Sequence, residues 1–229
     1  MLIKGLQKTT LLDFPQKVAC TVFTGGCNFR CPFCHNASLV THVDTSDKIG
    51  VDEFFAFLAK RTSILDGVCI TGGEPLLQKD IASFISKIRE MGFSVKLDTN
   101  GAFPKILKEL ISEGLLDYVA MDVKNSKEKY ALTCGTDVDV NDIEESMDIL
   151  RSSGLEYEFR TTVVRELHTS QDIEALTEWI YFAPHYYLQA FKDSGDILRS
   201  GLSSYSEEEM KQILAKAKLR LACAELRGI

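Results

Sequence analysis

Several things are scarce in this chain, and each scarcity excludes something. Its 229 residues hold one tryptophan and five prolines. No apolar run approaches the ~18–20 residues of a membrane span, and the N-terminus lacks the h-region of a signal peptide. These features predict a cytoplasmic protein with no membrane partner. No block of five or more like charges occurs and the net charge is −7, so the basic footprint of a nucleic-acid binder is missing. Linkers, low-complexity tracts and internal sequence repeats are also absent, so residues 1–229 are expected to form one domain with an N-terminal extension over 1–16. The seven cysteines are odd in number and three are clustered, which argues against a disulfide framework.

That cluster is the informative stretch. Residues 24–36 read Thr-Gly-Gly-Cys-Asn-Phe-Arg-Cys-Pro-Phe-Cys-His-Asn, placing Cys27, Cys31 and Cys34 in a C-x3-C-x2-C spacing. Gly25-Gly26 allows a sharp turn and Pro32 bars a continuing helix, so the segment is predicted to be a loop that aims three thiolates at one metal centre. A structural zinc site takes four protein ligands, whereas an iron–sulfur cube held by three thiolates keeps one iron open. The competing reading is a zinc knuckle with His35 or a distant cysteine as fourth ligand. It is weakened because zinc sites of this kind pair two C-x2-C units and no second one exists. Cys20 and Cys69 fall in apolar runs and read as small core side chains, with Cys134 and Cys223 outside the cluster.

The spacing, with Phe33 just before the last cysteine, resembles the signature of the radical S-adenosylmethionine (SAM) enzymes. Cys34-His35-Asn36 resembles the glycyl-radical activating enzymes among them. Leu6-Gln7-Lys8, Leu12-Asp13-Phe14-Pro15 and Val18-Ala19-Cys20 resemble the activating proteins of the anaerobic ribonucleoside-triphosphate reductase. That pattern has glycine after the proline, where this chain has Gln16.

Strand and helix signals alternate about six times, the pattern of a parallel sheet. Strands are predicted at Val18–Phe23, Gly67–Thr71, Phe93–Asp98, Tyr118–Val123, Tyr157–Val164 and Tyr186–Phe191. Helices are predicted from Val51 to Arg61, around Ile81–Met91, around Ile106–Ile111, from Asn141 with Glu144 in a capping box, through Trp179 with Ser170 as the cap, and from Ser206 through the basic stretch ending at Arg220. Periodicity leaves an open doubly wound sheet and a partial barrel equally possible. The resemblance implies the α/β partial (β/α)6 TIM-like barrel of radical SAM proteins, and in either fold the functional groups lie at the carboxyl ends of the strands.

Three further segments sit at such ends. Thr71-Gly72-Gly73-Glu74-Pro75 offers bare backbone and an anionic acceptor suited to an ammonium group. Read alone it is also a common strand-to-helix turn. Leu97-Asp98-Thr99-Asn100-Gly101 is a turn with an Asx residue before glycine. Met121-Asp122-Val123-Lys124 places Asp122 and Lys124 on one face. Arg160, in a strand, calls for a carboxylate partner. The resemblance implies that Gly72, Gly73 and Glu74 hold the methionyl amino group of SAM. It also implies that Phe33, Asn36, Asp98, Asp122, Lys124 and Arg160 contribute to the cofactor site. Asp98, Thr99, Asp122 and the Ala120 carbonyl would then ligate a monovalent cation. The stretch Gln189-Ala190-Phe191 stands where a related pattern has Pro-Tyr-His, so no histidine contact to SAM is expected there. His42, His168 and His185 read as ordinary residues.

The implied function is reductive cleavage of SAM to a 5′-deoxyadenosyl radical at a 4Fe–4S cluster, followed by generation of a glycyl radical on the anaerobic reductase through its glycyl loop. A flavodoxin- or ferredoxin-type protein would supply the electron. The alternatives are activation of another glycyl-radical enzyme of the pyruvate formate-lyase type, a small-molecule radical SAM enzyme, and a non-enzymatic zinc module.

Overall fold

A computed structural model describes residues 1–41 and 46–228. One eight-stranded sheet runs in sequence order: β1 (Ile3–Thr10), β2 (Ala19–Thr24), β3 (Gly67–Gly72), β4 (Ser94–Thr99), β5 (Tyr118–Asp122), β6 (Glu156–Val163), β7 (Tyr186–Ala190) and β8 (Ala224–Arg227). All neighbouring pairs from β2 to β8 are parallel, and β1 lies antiparallel to β2. Helices alternate with the strands: α1 (Ala37–Thr41), α2 (Val51–Ala59), α3 (Ile81–Glu90), α4 (Pro104–Ser112), α5 (Tyr130–Cys134), α6 (Val140–Ser153), α7 (Ser170–Trp179) and α8 (Glu207–Lys218). Sequential order with helical crossovers is the partial-barrel arrangement.

The six expected strands are present within a residue or two, and two more flank them. Residues 1–16 contribute β1 rather than hanging free of the sheet. Its first half packs inward through Ile3, but Gln7 and its neighbours are exposed, so the segment lacks the apolar alternation that marks a strand. β8 is only four residues long, too short for periodicity to register.

Two helix starts differ from expectation for reasons of capping. α6 begins at Val140 with Asp139 as its cap, the Asp139 carboxylate accepting from the Asn141 amide at 3.0 Å. Glu144 then lies too far into the helix to close a box and instead accepts from Trp179 Nε1 at 3.1 Å. α7 is capped by Thr169, one residue before Ser170, in a reciprocal box with Asp172. Ser206 caps α8 through a reciprocal box with Glu209.

The barrel is apolar outside and charged inside. Val95 and Leu97 of β4 are fully buried in the hydrophobic core, as a strand covered by helices requires. The alternate residues Lys96 and Asp98 turn to the barrel interior, where they line a cavity of about 650 Å³ together with Tyr118, Glu158, Arg160 and Arg227. Glu158 accepts a bidentate pair from Arg227 at 2.8 and 3.0 Å, and the Tyr118 hydroxyl donates to it at 2.9 Å. Cys20 is fully buried in the apolar core as expected, whereas Cys69, also fully buried, turns to the charged interior with its Sγ 3.8 Å from Asp98 Oδ1.

Candidate functional site

The cysteine loop leaves β2 and is held in place by backbone contacts with the end of β3. Gly73 N donates to the Thr24 carbonyl and Glu74 N to the Gly26 carbonyl, both at 2.8 Å. A Cβ on Gly73 would come within 1.9 Å of the Gly26 oxygen, and one on Gly72, whose φ is 114°, within 2.3 Å of the Thr24 amide nitrogen. Glycine at both places is therefore a packing requirement of the two segments as well as an opening toward the cavity. Asn100 Nδ2, at the end of β4, donates to Asn28 Oδ1 at 2.8 Å and ties a third strand to the same loop.

Cys27, Cys31 and Cys34 line one cavity of about 270 Å³ with Phe33, Asn36, Gly72, Gly73, Asp98, Thr99, Asp122, Lys124 and Arg160. The structure thus gathers residues from five strand ends around the thiols. Among the described residues, no three histidine, cysteine or acidic side chains come close enough to hold a single metal ion. Three soft thiol donors set around a shared hollow suit a multi-iron cluster instead. Cys134 belongs to α5 and is not among the cavity's lining residues. Its thiol donates to Cys31, and that contact, against the opposing effect of burial, brings Cys31 down to about 7. Burial pushes Cys27 up to about 12 and also raises Cys34.

Two carboxylates and three cations form a row that runs from this cavity to the larger interior one, the two sharing Asp98 and Arg160. The Lys96 ammonium contacts Asp98 Oδ1. Arg160 bridges the two acids, Nη1 to Asp98 Oδ2 at 3.1 Å and Nε to Asp122 Oδ1 at 3.0 Å. Lys124 Nζ completes the row at 2.9 Å from Asp122 Oδ2. Burial works against the charge on Asp122, but the Lys124 ammonium and the Arg160 guanidinium outweigh it and hold the carboxyl well below the usual range. Asp98 is lowered likewise, burial being outweighed by Arg160 and Lys96. The carboxylate partner expected for Arg160 is therefore a pair of them.

Glu74 and the four cation donors are arranged differently from expectation. Glu74 is 0% exposed and absent from the cavity lining. Its Oε1 accepts from the Leu76 amide at 3.1 Å and the Thr99 hydroxyl at 2.8 Å, and its Oε2 from the Asn100 amide at 2.7 Å. Its carboxylate thus closes the β3 and β4 turns onto each other, which leaves Thr71, Gly72 and Gly73 as the part of this segment facing the cavity. The cation donors are likewise engaged. Thr99 is bound to Glu74, Ala120 is 0% exposed inside the ladder opposite Asp98 and Glu158, and both acids face ammonium and guanidinium groups.

Reading the sequence missed several contributors. Asn100 carries an Asn-Gly turn signal, and its clasp on Asn28 depends on the fold. Thr162 and Gln189 line the cavity from β6 and the end of β7. His168, read as an ordinary residue, is fully buried: Val164 N donates to its Nδ1 at 3.1 Å and its Nε2–H donates to the Lys124 carbonyl at 2.8 Å. Those two bonds fix a neutral tautomer, and burial lowers its pKa further. Its ring meets Phe33 edge-on at 6.4 Å, so it braces both the cysteine loop and Lys124. His35 stacks on Phe191 at 5.6 Å. His42 lies outside the described residues.

Comparison with known proteins agrees with this geometry. Residues 21–180 match the Radical SAM superfamily. A Methanocaldococcus jannaschii protein, provisionally named a glycyl-radical enzyme activating enzyme, is 34% identical over 227 residues, covering 95% of this chain and 92% of that protein. A Helicobacter pylori GTP 3′,8-cyclase is 32% identical over 162 residues, which are 67% of this chain and 49% of the cyclase. Among solved structures, Streptococcus suis SuiB bound to S-adenosylmethionine superposes with a TM-score of 0.70 at 13% identity, over 89% of this chain and 48% of SuiB. A domain of the pyruvate-formate lyase-activating enzyme from Bacteroides vulgatus superposes with a TM-score of 0.56 at 18% identity, over 71% of this chain and 99% of that domain.

Proposed function

This chain belongs to the Radical SAM superfamily, whose cofactors are a 4Fe–4S cluster and SAM, and from that premise we propose that it activates a glycyl-radical enzyme. The observation that carries the reading is the end-to-end match to the M. jannaschii protein of that name, over 95% of one chain and 92% of the other. Within this reading the target is the anaerobic ribonucleoside-triphosphate reductase, supported by the resemblance of Leu6-Gln7-Lys8 and Leu12-Asp13-Phe14-Pro15 to its activating proteins.

Cys27, Cys31 and Cys34 would hold the cluster, which when bound would supply the one-electron reduction of the SAM sulfonium that hydrogen abstraction from a partner's backbone glycine requires. The rest of the work belongs to positioning. Gly72 and Gly73 bring bare backbone to the cavity wall, and Lys124 and Arg160 line it with fixed positive charge. Burial opposes the charge on Lys124, but Asp122 beside it holds the ammonium protonated. Phe33 and Val40 supply apolar cover that keeps water from the thiols. The cavity lies at the carboxyl ends of the strands, and a loop from a partner protein would reach it there. We assign the protein to the cytoplasm, where a flavodoxin- or ferredoxin-type donor would reduce it. No described helix is long and apolar enough to cross a membrane.

The test is to mix the reduced, cluster-loaded protein and SAM with the anaerobic reductase and, separately, with a pyruvate formate-lyase. A glycyl-radical doublet in electron paramagnetic resonance on the reductase alone supports the specific assignment. A doublet on the lyase alone moves the target. Turnover of a small nucleotide with no partner present would reject activation altogether.

A further inference from the structure

We infer that Lys96 is a built-in substitute for a bound alkali cation, so that this chain's site works without one. The inference rests on reading the cavity above as the SAM site. The carboxyl-end acids of β4 and β5 are the groups an alkali ion would need, and each of their four oxygens already faces a cationic side chain. Asp98 Oδ1 faces the Lys96 ammonium and Asp98 Oδ2 the Arg160 guanidinium, while Asp122 Oδ1 faces Arg160 and Asp122 Oδ2 faces Lys124. Positive and negative groups alternate along this row of five, leaving one positive charge in excess. A further cation would meet a row that is already net positive.

Lys96 is the unusual member. It sits inside a strand at 2% exposure, two residues before Asp98 on the same face, and its ammonium lies 3.9 Å from Cys69 Sγ and 5.9 Å from the Tyr118 ring centre. A lysine is rarely buried so fully unless its charge is needed by a partner. An ammonium carries the same charge as a potassium ion and differs in being tethered. The tether removes the entropy of capturing an ion from solution, so Asp98 is held in one place whatever the salt. Arg160 is thereby left to span Asp98 and Asp122 in a fixed orientation between the two cavities. We assign Lys96 as a positioning residue.

The experiment compares anaerobically purified, cluster-loaded wild type with Lys96→Ala and Lys96→Met in chloride salts of potassium, sodium, ammonium and choline at equal ionic strength. Thermal unfolding is the first readout because it needs no partner and no turnover. Wild type should unfold at the same temperature in all four salts. Lys96→Ala should unfold about 5–10 °C lower in choline and regain at least half of that loss in potassium or ammonium, which fit the vacated space. Lys96→Met, which fills the space without charge, should fall as far and regain little. The second readout is release of 5′-deoxyadenosine from SAM without any partner protein, in which wild type should vary less than about twofold between potassium and choline. A wild type that is stabilised by potassium, or whose SAM cleavage falls tenfold in choline, overturns the inference even if neither variant folds. So does a Lys96→Ala protein indifferent to every small cation. If SAM is not cleaved in any salt, the reading of the cavity fails instead, and the thermal comparison still decides the role of Lys96.

Discussion

Asn100 donates its side-chain amide to Asn28 at 2.8 Å, joining the end of β4 to the loop between Cys27 and Cys31. The same Nδ2 approaches Cys27 Sγ at 3.9 Å, while Asn100 Oδ1 accepts from the Ala102 amide at 3.0 Å. Asn100 is buried, so its loss leaves Asn28 and the Ala102 amide without these partners. Asn100→Ala is expected to cost about 1–3 kcal/mol and to slow cluster reconstitution. Stopped reconstitution assays that follow the brown absorbance against time check this. Wild-type kinetics in the variant would remove Asn100 from the machinery of the loop.

The cysteines divide by position. Cys27→Ala, Cys31→Ala and Cys34→Ala should each lose the cluster and with it all SAM cleavage, because each removes a thiol that lines the cavity. Alanine at Cys20, Cys69, Cys134 or Cys223 should keep it. Cys134 is the demanding case, since its thiol touches Cys31. Iron and acid-labile sulfide analysis decides the matter: zinc without sulfide in wild type, or loss of metal in Cys134→Ala, would point to a four-cysteine zinc site.

Glu74 makes stability depend on pH. Burial pushes its carboxyl from the ordinary 4.5 up to about 7, against the Asn100 and Leu76 amides and the Thr99 hydroxyl, which favour the charged form. A carboxyl with a raised folded value binds its proton more tightly in the folded state. Its contribution is therefore full below pH 4.5 and is lost as pH rises through about 7. Glutamine cannot titrate. Relative to wild type, Glu74→Gln should gain up to about 3 kcal/mol between these two pH values, measured by urea unfolding across the range. A difference that stays constant with pH would contradict the burial argument.

Gln16 is exposed and has a φ of 60°, a left-handed conformation that disfavours side chains. The pattern that the N-terminal stretch resembles has glycine at this place, the residue that adopts a left-handed φ without cost. Gln16→Gly should relieve about 1–2 kcal/mol of strain and add about 0.4–1 kcal/mol of unfolded-state entropy. The net expectation is a melting temperature higher by a degree or two, with SAM cleavage unchanged. A lower melting temperature would show that the glutamine side chain itself anchors the loop.

Much of this protein is legible in its residues, and the remainder has a common physical cause. Local spacing determined the cysteine loop, since three thiols in eight positions need only a turn to converge. Period-two and period-three-to-four apolar patterns located the six inner strands and the long helices, because those elements bury one face or two. β8 was too short and β1 too polar on its outer half to leave such a trace. The chain's choice of a partial barrel over an open sheet belongs to the curvature of the whole sheet, and periodicity is blind to it.

The tertiary structure alone decided what each polar side chain faces. Spacing marks Glu74 as an acidic residue beside two glycines, but only the packing of β3 on β4 turns its carboxylate inward onto Thr99 and Asn100. Likewise Lys96, Asp98, Asp122, Lys124 and Arg160 come from three strands, and nothing local to any of them says that they form one alternating row. Charge pairing acts over a few ångströms in space without regard to separation along the chain. The identity of the donors is therefore written in the sequence, and their pairing is settled by the barrel that brings them together.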